Sequence, residues 1–222
     1  MGKLTRRVAI TGATGYLGRA ITPKLCEKGH QVRALIRPGS GARVAPGAET
    51  HELDLFDVNE LAGGLENCDT VVHLVGTAHP SPRKAPEFTR VDLASARACI
   101  AAALRSAVTH FVYVSVAQPA PVMKAYLSAR AEAERVLSQS GLTATVVRPW
   151  YVLGPGHRWP ILLVPAYALA DLIPGLRAGA RRLGLVTLAQ MTDTLVDAIE
   201  RPPNAGMTRL LEVPQIKYRR AD

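Results

Sequence analysis

At 222 residues the chain is long enough for one well-buried domain, or for one domain with a small cap. Hydrophobic residues make up 48 % of it, which excludes a disordered chain. The net charge is +9, yet the basic residues are scattered and no aromatic-basic interleaving occurs, so nucleic-acid binding is set aside; the charge reads either as a solvated surface or as attraction to anionic partners.

Strand and helix signals alternate from residue 7 to about residue 150. Arg7–Thr11 reads as strand one, around the apolar run Val8-Ala9-Ile10. A helix follows over Leu17–Lys28, with Leu17, Ile21 and Leu25 at helical spacing and Gly29 to close it. Gln31–Arg37 is strand two, and Pro38-Gly39-Ser40-Gly41 is a loop. Thr50–Leu55 is a short third strand, Asp57–Leu65 a helix and Thr70–Val75 a buried fourth strand. Ala78–Pro86 holds three prolines and reads as a loop, before a long alanine-rich helix over Phe88–Ala107. His110–Val116 is strand five, Lys124–Ser140 a helix ended by Gly141, and Thr143–Arg148 strand six. This alternation predicts an α/β fold of the Rossmann type, a doubly wound parallel sheet covered on both faces.

After Pro149 the pattern changes. Gly154-Pro155-Gly156 breaks the chain, Trp159–Leu176 is an apolar run with the single charge Asp171, Val186–Arg201 reads as a helix and Leu210–Val213 as a last strand. The expected organisation is a Rossmann domain over residues 1–150, with residues 151–222 as a reduced substrate cap packed on it.

The turn Thr11-Gly12-Ala13-Thr14-Gly15-Tyr16-Leu17-Gly18 carries the first chemistry. A strand ends, the chain turns on glycine and a helix begins. Gly12 permits the tight turn, Gly15 lets backbone approach a pyrophosphate, and Gly18 lets the helix pack on the strand. Amides at the helix start would face the phosphates, with the helix dipole behind them. Gly12, Thr14, Gly15, Tyr16, Leu17 and Gly18 are therefore candidate dinucleotide contacts. A carboxylate at the end of strand two would favour NAD; Arg37 stands there instead, with Arg33 on the same strand and no acid read nearby, which favours NADPH over NADH.

This pattern resembles the short-chain dehydrogenase/reductase superfamily in its extended and atypical branches, the epimerase/dehydratase-like and NmrA-like groups. The resemblance covers residues 7–156 well. It implies that Asp54-Leu55 contacts the adenine and that Leu74-Val75-Gly76 lines the middle of the cofactor. Val91-Asp92 stands where relatives have Val-Asn, a departure that weakens any role carried over there. Tyr126 and Arg130 resemble the family's Tyr-x-x-x-Lys helix, with arginine in the lysine slot. Spacing of four puts both on one face. On that resemblance Tyr126 exchanges the proton and Arg130 supports it; otherwise Arg130 pairs with Glu134 and Tyr126 is a core aromatic. Ser115 matches the first serine of the family's Val-Ser-Ser ending, and Val116 occupies the second position. Arg148-Pro149 and Val152-x-Gly154-Pro155-Gly156 resemble the segment beside the nicotinamide, which makes Pro149 a cofactor contact and His157, Arg158 and Trp159 candidates for the substrate.

Two functions follow from the resemblance. One is an NADPH-dependent oxidoreductase or epimerase acting on a small or apolar carbonyl or hydroxyl compound. The other is a non-catalytic NADP(H)-binding sensor or assembly factor. The run Pro160–Leu176 is too short, and too broken by Pro165 and Pro174, to span a bilayer. The segment 160–182 is read as a buried cap or dimer contact, as a peripheral lipid contact through its apolar residues and Arg177, Arg181 and Arg182, or as the wall of an apolar pocket through Leu162, Leu163, Tyr167 and Leu169. Cys26, Cys68 and Cys99 are isolated, without metal spacing, and Met1 to Arg7 shows no secretory signal, so a cytoplasmic protein is expected.

Overall fold

The computed structural model describes residues 5–156, 179 and 182–218. Seven parallel strands form one sheet: β1 (Arg7–Thr11), β2 (Gln31–Ile36), β3 (Glu49–Glu52), β4 (Thr70–His73), β5 (His110–Val114), β6 (Ala144–Arg148) and β9 (Thr208–Glu212). Two short parallel strands, β7 (Tyr151–Leu153) and β8 (Leu185–Thr187), pair separately. Along the main sheet the order is β3-β2-β1-β4-β5-β6-β9, so the winding reverses between β1 and β4. A crevice opens at the carboxyl ends of the strands where such a reversal occurs.

Continuous apolar runs explain the centre of the sheet, where β1, β4, β5 and β6 are buried on both faces, whereas the edge strands β3 and β9 are largely exposed or half-buried. Ala9 and Val71 face one side, covered through Leu61, Ala103 and Leu137 by α2 (Val58–Gly64), α3 (Ala94–Arg105) and α4 (Lys124–Gln139). Val8, Ile10 and Val72 face the other, covered through Ile21, Leu195 and Ile216 by α1 (Tyr16–Glu27), α5 (Leu188–Glu200) and α6 (Val213–Lys217). The doubly wound sheet expected from the alternation is the one observed.

Three local differences have clear causes. The helix expected from Val186 begins two residues later, after β8. Thr187 and Gln190 form a capping box there: Thr187 Oγ1 accepts from the Gln190 amide at 3.1 Å, and Gln190 Oε1 accepts from the Thr187 amide at 2.8 Å. The last strand starts at Thr208 and pairs with β6, so part of the stretch assigned to a cap is the seventh strand of the main sheet. The long helix expected from Phe88 contains a π-helical segment at Phe88–Leu93, which carries Asp92 into the interior.

A buried polar chain runs beneath the β1 turn. Thr11 Oγ1 lies 2.8 Å from His73 Nδ1, and His73 Nε2 lies 3.4 Å from Ser95 Oγ. Burial, aided by the charge of Arg130, pushes the His73 imidazole down to about 3, so it stays neutral. Among the described residues no helix is long and apolar enough to cross a membrane. His157, Arg158, Trp159, Leu162, Leu163, Tyr167, Leu169, Arg177 and Arg181 lie outside the described residues. Arg182 is described, and its Nε donates to the Pro119 carbonyl at 3.1 Å.

Candidate active site

The three glycines of the β1–α1 turn are held for different reasons. Gly12 has φ +77°, and a Cβ on it would lie 2.9 Å from the Leu74 carbonyl carbon. At Gly18 a Cβ would lie 2.5 Å from Ala13 Cα, so α1 could not pack so closely. Gly15 is exposed, and a Cβ there would meet only the Gly12 carbonyl oxygen, at 3.1 Å. Gly12 and Gly18 therefore answer to the protein's own packing, and Gly15 keeps the outer surface of the turn low. Gly15 is also the N-cap of α1, where no side chain caps the helix and no acid occupies the first turn. The positive end of the helix dipole is thus left for an anion. Thr14 is half-buried in the turn.

At the far end of the crevice Arg37 is exposed just beyond β2, and its guanidinium bonds to no other described residue. Arg43 donates to Ser40 Oγ at 2.9 Å in the same loop. Two details differ from the sequence reading. Arg33 is turned away, bonded to the Gly64 and Glu66 carbonyls and to Glu49. An acid does lie near the loop: Glu52 of β3 accepts from the Gly39 amide at 3.1 Å. Asp54 is exposed and accepts from the Phe56 amide at 2.9 Å, while Leu55 is buried in the core against α2.

Between the turn and the ends of β4, β5 and β6 lies a cavity of about 440 Å³. Tyr16, Leu17 and Leu74 border it on the turn side, and Ser115, Tyr126 and Pro149 on the other. Tyr126 stands in the first turn of α4, its ring 5.0 Å from that of Phe88. Ser115, just after β5, is 4 % exposed, yet its Oγ has no hydrogen-bond partner among the described residues. Such an orphaned buried hydroxyl in a cavity wall is accounted for when a ligand bonds it. Val116 is buried beside it.

Arg130 does not pair with Glu134, whose carboxylate instead binds Arg148 and Gln118. Arg130 lies inward, 2.8 Å from Asp92 Oδ1, with Nη1 donating to the Val114 carbonyl at 3.0 Å and Nη2 reaching the Val75 carbonyl at 3.4 Å. Asp92, discounted in the sequence, is fully buried and takes two bonds from Thr77, from its amide at 2.9 Å and its hydroxyl at 2.6 Å. A Cβ at Gly76 would overlap Arg130 Nη2, so the guanidinium beneath it demands glycine there.

Sequence reasoning missed Thr77, His79, Met123, Trp150 and Tyr151 as cavity walls. They come from the loop after β4, the residue before α4 and the start of β7, and no spacing rule joins them. Asp92 did leave a signal, since an acid for an amide and an arginine for a lysine are two departures in matching chemistry. No cluster of metal-ligating side chains occurs among the described residues.

A family model described as NAD(P)H-binding matches residues 12–158. The chain is 29 % identical over 220 residues to a ceramide reductase of Caulobacter vibrioides, covering 95 % of this chain and 66 % of that protein. It is 29 % identical over 170 residues to a 4-hydroxy-2-methyl-3-oxo-4-farnesyl-3,4-dihydroquinoline-1-oxide ketoreductase of Stigmatella aurantiaca, covering 67 % of this chain and 51 % of that one. The chain thus spans less than two thirds of either relative. A solved UDP-N-acetylglucosamine 4-epimerase from Bacillus cereus superposes with a TM-score of 0.67 at 17 % identity, over 94 % of this chain and 76 % of that one, a likeness of fold. With its glycine turn, its doubly wound sheet and these relatives, the chain belongs to the NAD(P)H-binding family, on the short-chain dehydrogenase/reductase fold.

Proposed function

We propose that the chain is an NADP(H)-dependent reductase of an apolar carbonyl compound. The observation that carries this reading is the cavity itself. It is lined on one side by Tyr16 and Leu17, at the uncapped start of α1, and on the other by Tyr126 and by Ser115, whose hydroxyl has no partner among the described residues. Gly12, Thr14, Gly15, Tyr16 and Leu17 would hold the pyrophosphate, with Leu74, Val75 and Pro149 along the middle of the dinucleotide. When bound, a nicotinamide supplies or accepts hydride. Ser115 Oγ then donates a hydrogen bond to the substrate oxygen, and Tyr126 gives that oxygen its proton in reduction or takes it back in oxidation. Both hydroxyls sit on regular elements, the end of β5 and the first turn of α4, which limits the motion needed to present them.

Met123, Trp150, Tyr151 and Val152 make the substrate side largely apolar, which fits a lipid-like or aromatic ketone better than a charged sugar nucleotide. The names of the ceramide and farnesyl-quinoline reductases support the same class. The non-catalytic alternative draws no support from relatives that carry reductase and epimerase names. Arg37, exposed and uncommitted at the end of β2, supports a 2′-phosphate there and hence NADPH.

The test is consumption of NADPH in the presence of long-chain, steroidal and aromatic ketones, with wild type and with Ser115→Ala. Turnover of at least one apolar ketone, slowed in the variant, is expected. If NADPH binds but none is turned over, the catalytic reading is wrong and a binding role remains.

A further inference from the structure

Arg130 is 6 % exposed, and its hydrogens can be counted. A guanidinium carries five N–H groups. Nη1 donates to Tyr113 Oη at 3.3 Å and to the Val114 carbonyl at 3.0 Å; Nη2 donates to Asp92 Oδ1 at 2.8 Å and to the Val75 carbonyl at 3.4 Å. All four Nη hydrogens are thus taken by the protein, while the fifth, on Nε, is buried without a partner among the described residues. The charge is matched by fully buried Asp92, whose other oxygen holds Thr77. The guanidinium also lies against two rings, 5.3 Å from the Tyr126 centroid and 5.7 Å from that of Tyr113.

We infer that Asp92 and Arg130, the latter in the cavity wall, form one positioning unit, which fastens the Gly76–Thr77 loop and the Tyr126 ring to the ends of β4 and β5 and acts through them rather than by holding the dinucleotide. This deepens the reading of the cavity as a reductase site and rests on it. A buried arginine without Asp92 is an uncompensated charge, and so is Asp92 without the arginine. Each departure from the family pattern therefore requires the other. Gly76 is the third part of the unit, because any Cβ there would push the guanidinium out of place.

A four-corner cycle tests this with Asp92→Asn, Arg130→Gln and the double variant. In the double variant the two side-chain amides can bond each other, and the Asp92→Asn change leaves a carbonyl oxygen to accept from Thr77. The readouts are the melting temperature of the ligand-free protein, the NADPH dissociation constant and, with any ketone that wild type reduces, kcat and KM. Each single variant should melt roughly 6–15 °C lower. The double variant should recover at least half of the summed loss. Its NADPH dissociation constant should stay within about threefold of wild type, while kcat falls at least about tenfold because the cation beside Tyr126 is gone. Additive melting losses would overturn the unit. A tenfold or greater weakening of NADPH in the double variant would overturn it differently, by making Arg130 a ligand contact. Should either single variant fail to fold, Gly76→Ala serves. It should lower the melting temperature in wild type and leave the double variant nearly unchanged, and equal losses in both would contradict the inference. If wild type binds no NADPH, the reductase reading fails, and the melting cycle still decides the pairing.

Discussion

The β1–α1 turn and the Tyr126 wall of the cavity are built on opposite principles. The turn's pattern is local, one stretch from Thr11 to Gly18: a Cβ on Gly18 would lie 2.5 Å from Ala13 within that stretch, and only Gly12 answers to a distant neighbour, the Leu74 backbone, at 2.9 Å. The Tyr126 wall is assembled at long range. Tyr126 and Arg130 come from α4, Asp92 from the π-helical segment, Thr77 and Gly76 from the loop after β4, and Ser115 from the end of β5. On the proposed reading the local device would bind a ligand part common to many reactions, and it is written in spacing. The assembled device would decide what is done to the ligand, and it is written in packing.

The largest effect should come from the assembled side. Tyr126→Phe keeps the ring against Phe88 and removes the hydroxyl, so kcat should drop by roughly 10²–10⁴ with NADPH affinity nearly intact. Steady-state kinetics against any accepted ketone check this, and wild-type turnover in the variant would make Tyr126 a packing residue only. On the local side, Gly15→Val fills the space over the turn and should weaken NADPH at least about 100-fold, close to 2.7 kcal/mol, without lowering the melting temperature by more than a few degrees. Gly18→Val should do the reverse and unfold the protein, since backbone at Ala13 cannot yield.

A smaller effect joins the two regions. An unfolded chain takes up a proton on histidine around pH 6.5, while folded His73, between Thr11 and Ser95, does so only near pH 3. Its folded pKa is depressed by burial, so acid favours the unfolded state. Between pH 6.5 and 4.5 this removes on the order of 2 kcal/mol of stability. His110, pushed down to about 4 by burial and by Arg209 and Arg6, adds to the loss in the same direction. Denaturant titrations at several pH values read this slope, and His73→Asn should flatten it. The smallest effect concerns the cofactor's far end: wild type should prefer NADPH to NADH about tenfold, roughly 1.4 kcal/mol, and Arg37→Asp should erase the preference. Equal affinities in wild type would remove Arg37 from the site.

The same contrast explains what the sequence makes legible. The order of strands and helices is legible because each buried strand is an apolar run, as Val8-Ala9-Ile10 and Phe111-Val112-Tyr113-Val114 show. The β8 strand is not, since Leu185–Thr187 is three residues long and merges by pattern into the helix that its capping box begins. Gly76 is expected from the resemblance to line the middle of the cofactor; in the structure it lines the cavity, and the space its Cβ would take is filled by Arg130. Arg33 and Arg37 look alike along the chain at β2, but only packing shows that Arg33 is tied to α2 while Arg37 bonds to no other described residue. Asp92 has no assignment from spacing, because its partners Thr77 and Arg130 are 15 and 38 positions away.

The central claim, that the cavity at the strand ends is a dinucleotide site opened by Gly15, is tested most directly by calorimetric titration of NADPH into wild type and Gly15→Val. The account predicts saturable one-site binding in wild type and at least about a 100-fold loss in a variant that remains folded. Equal affinity in the two proteins, or no binding to wild type, would contradict it.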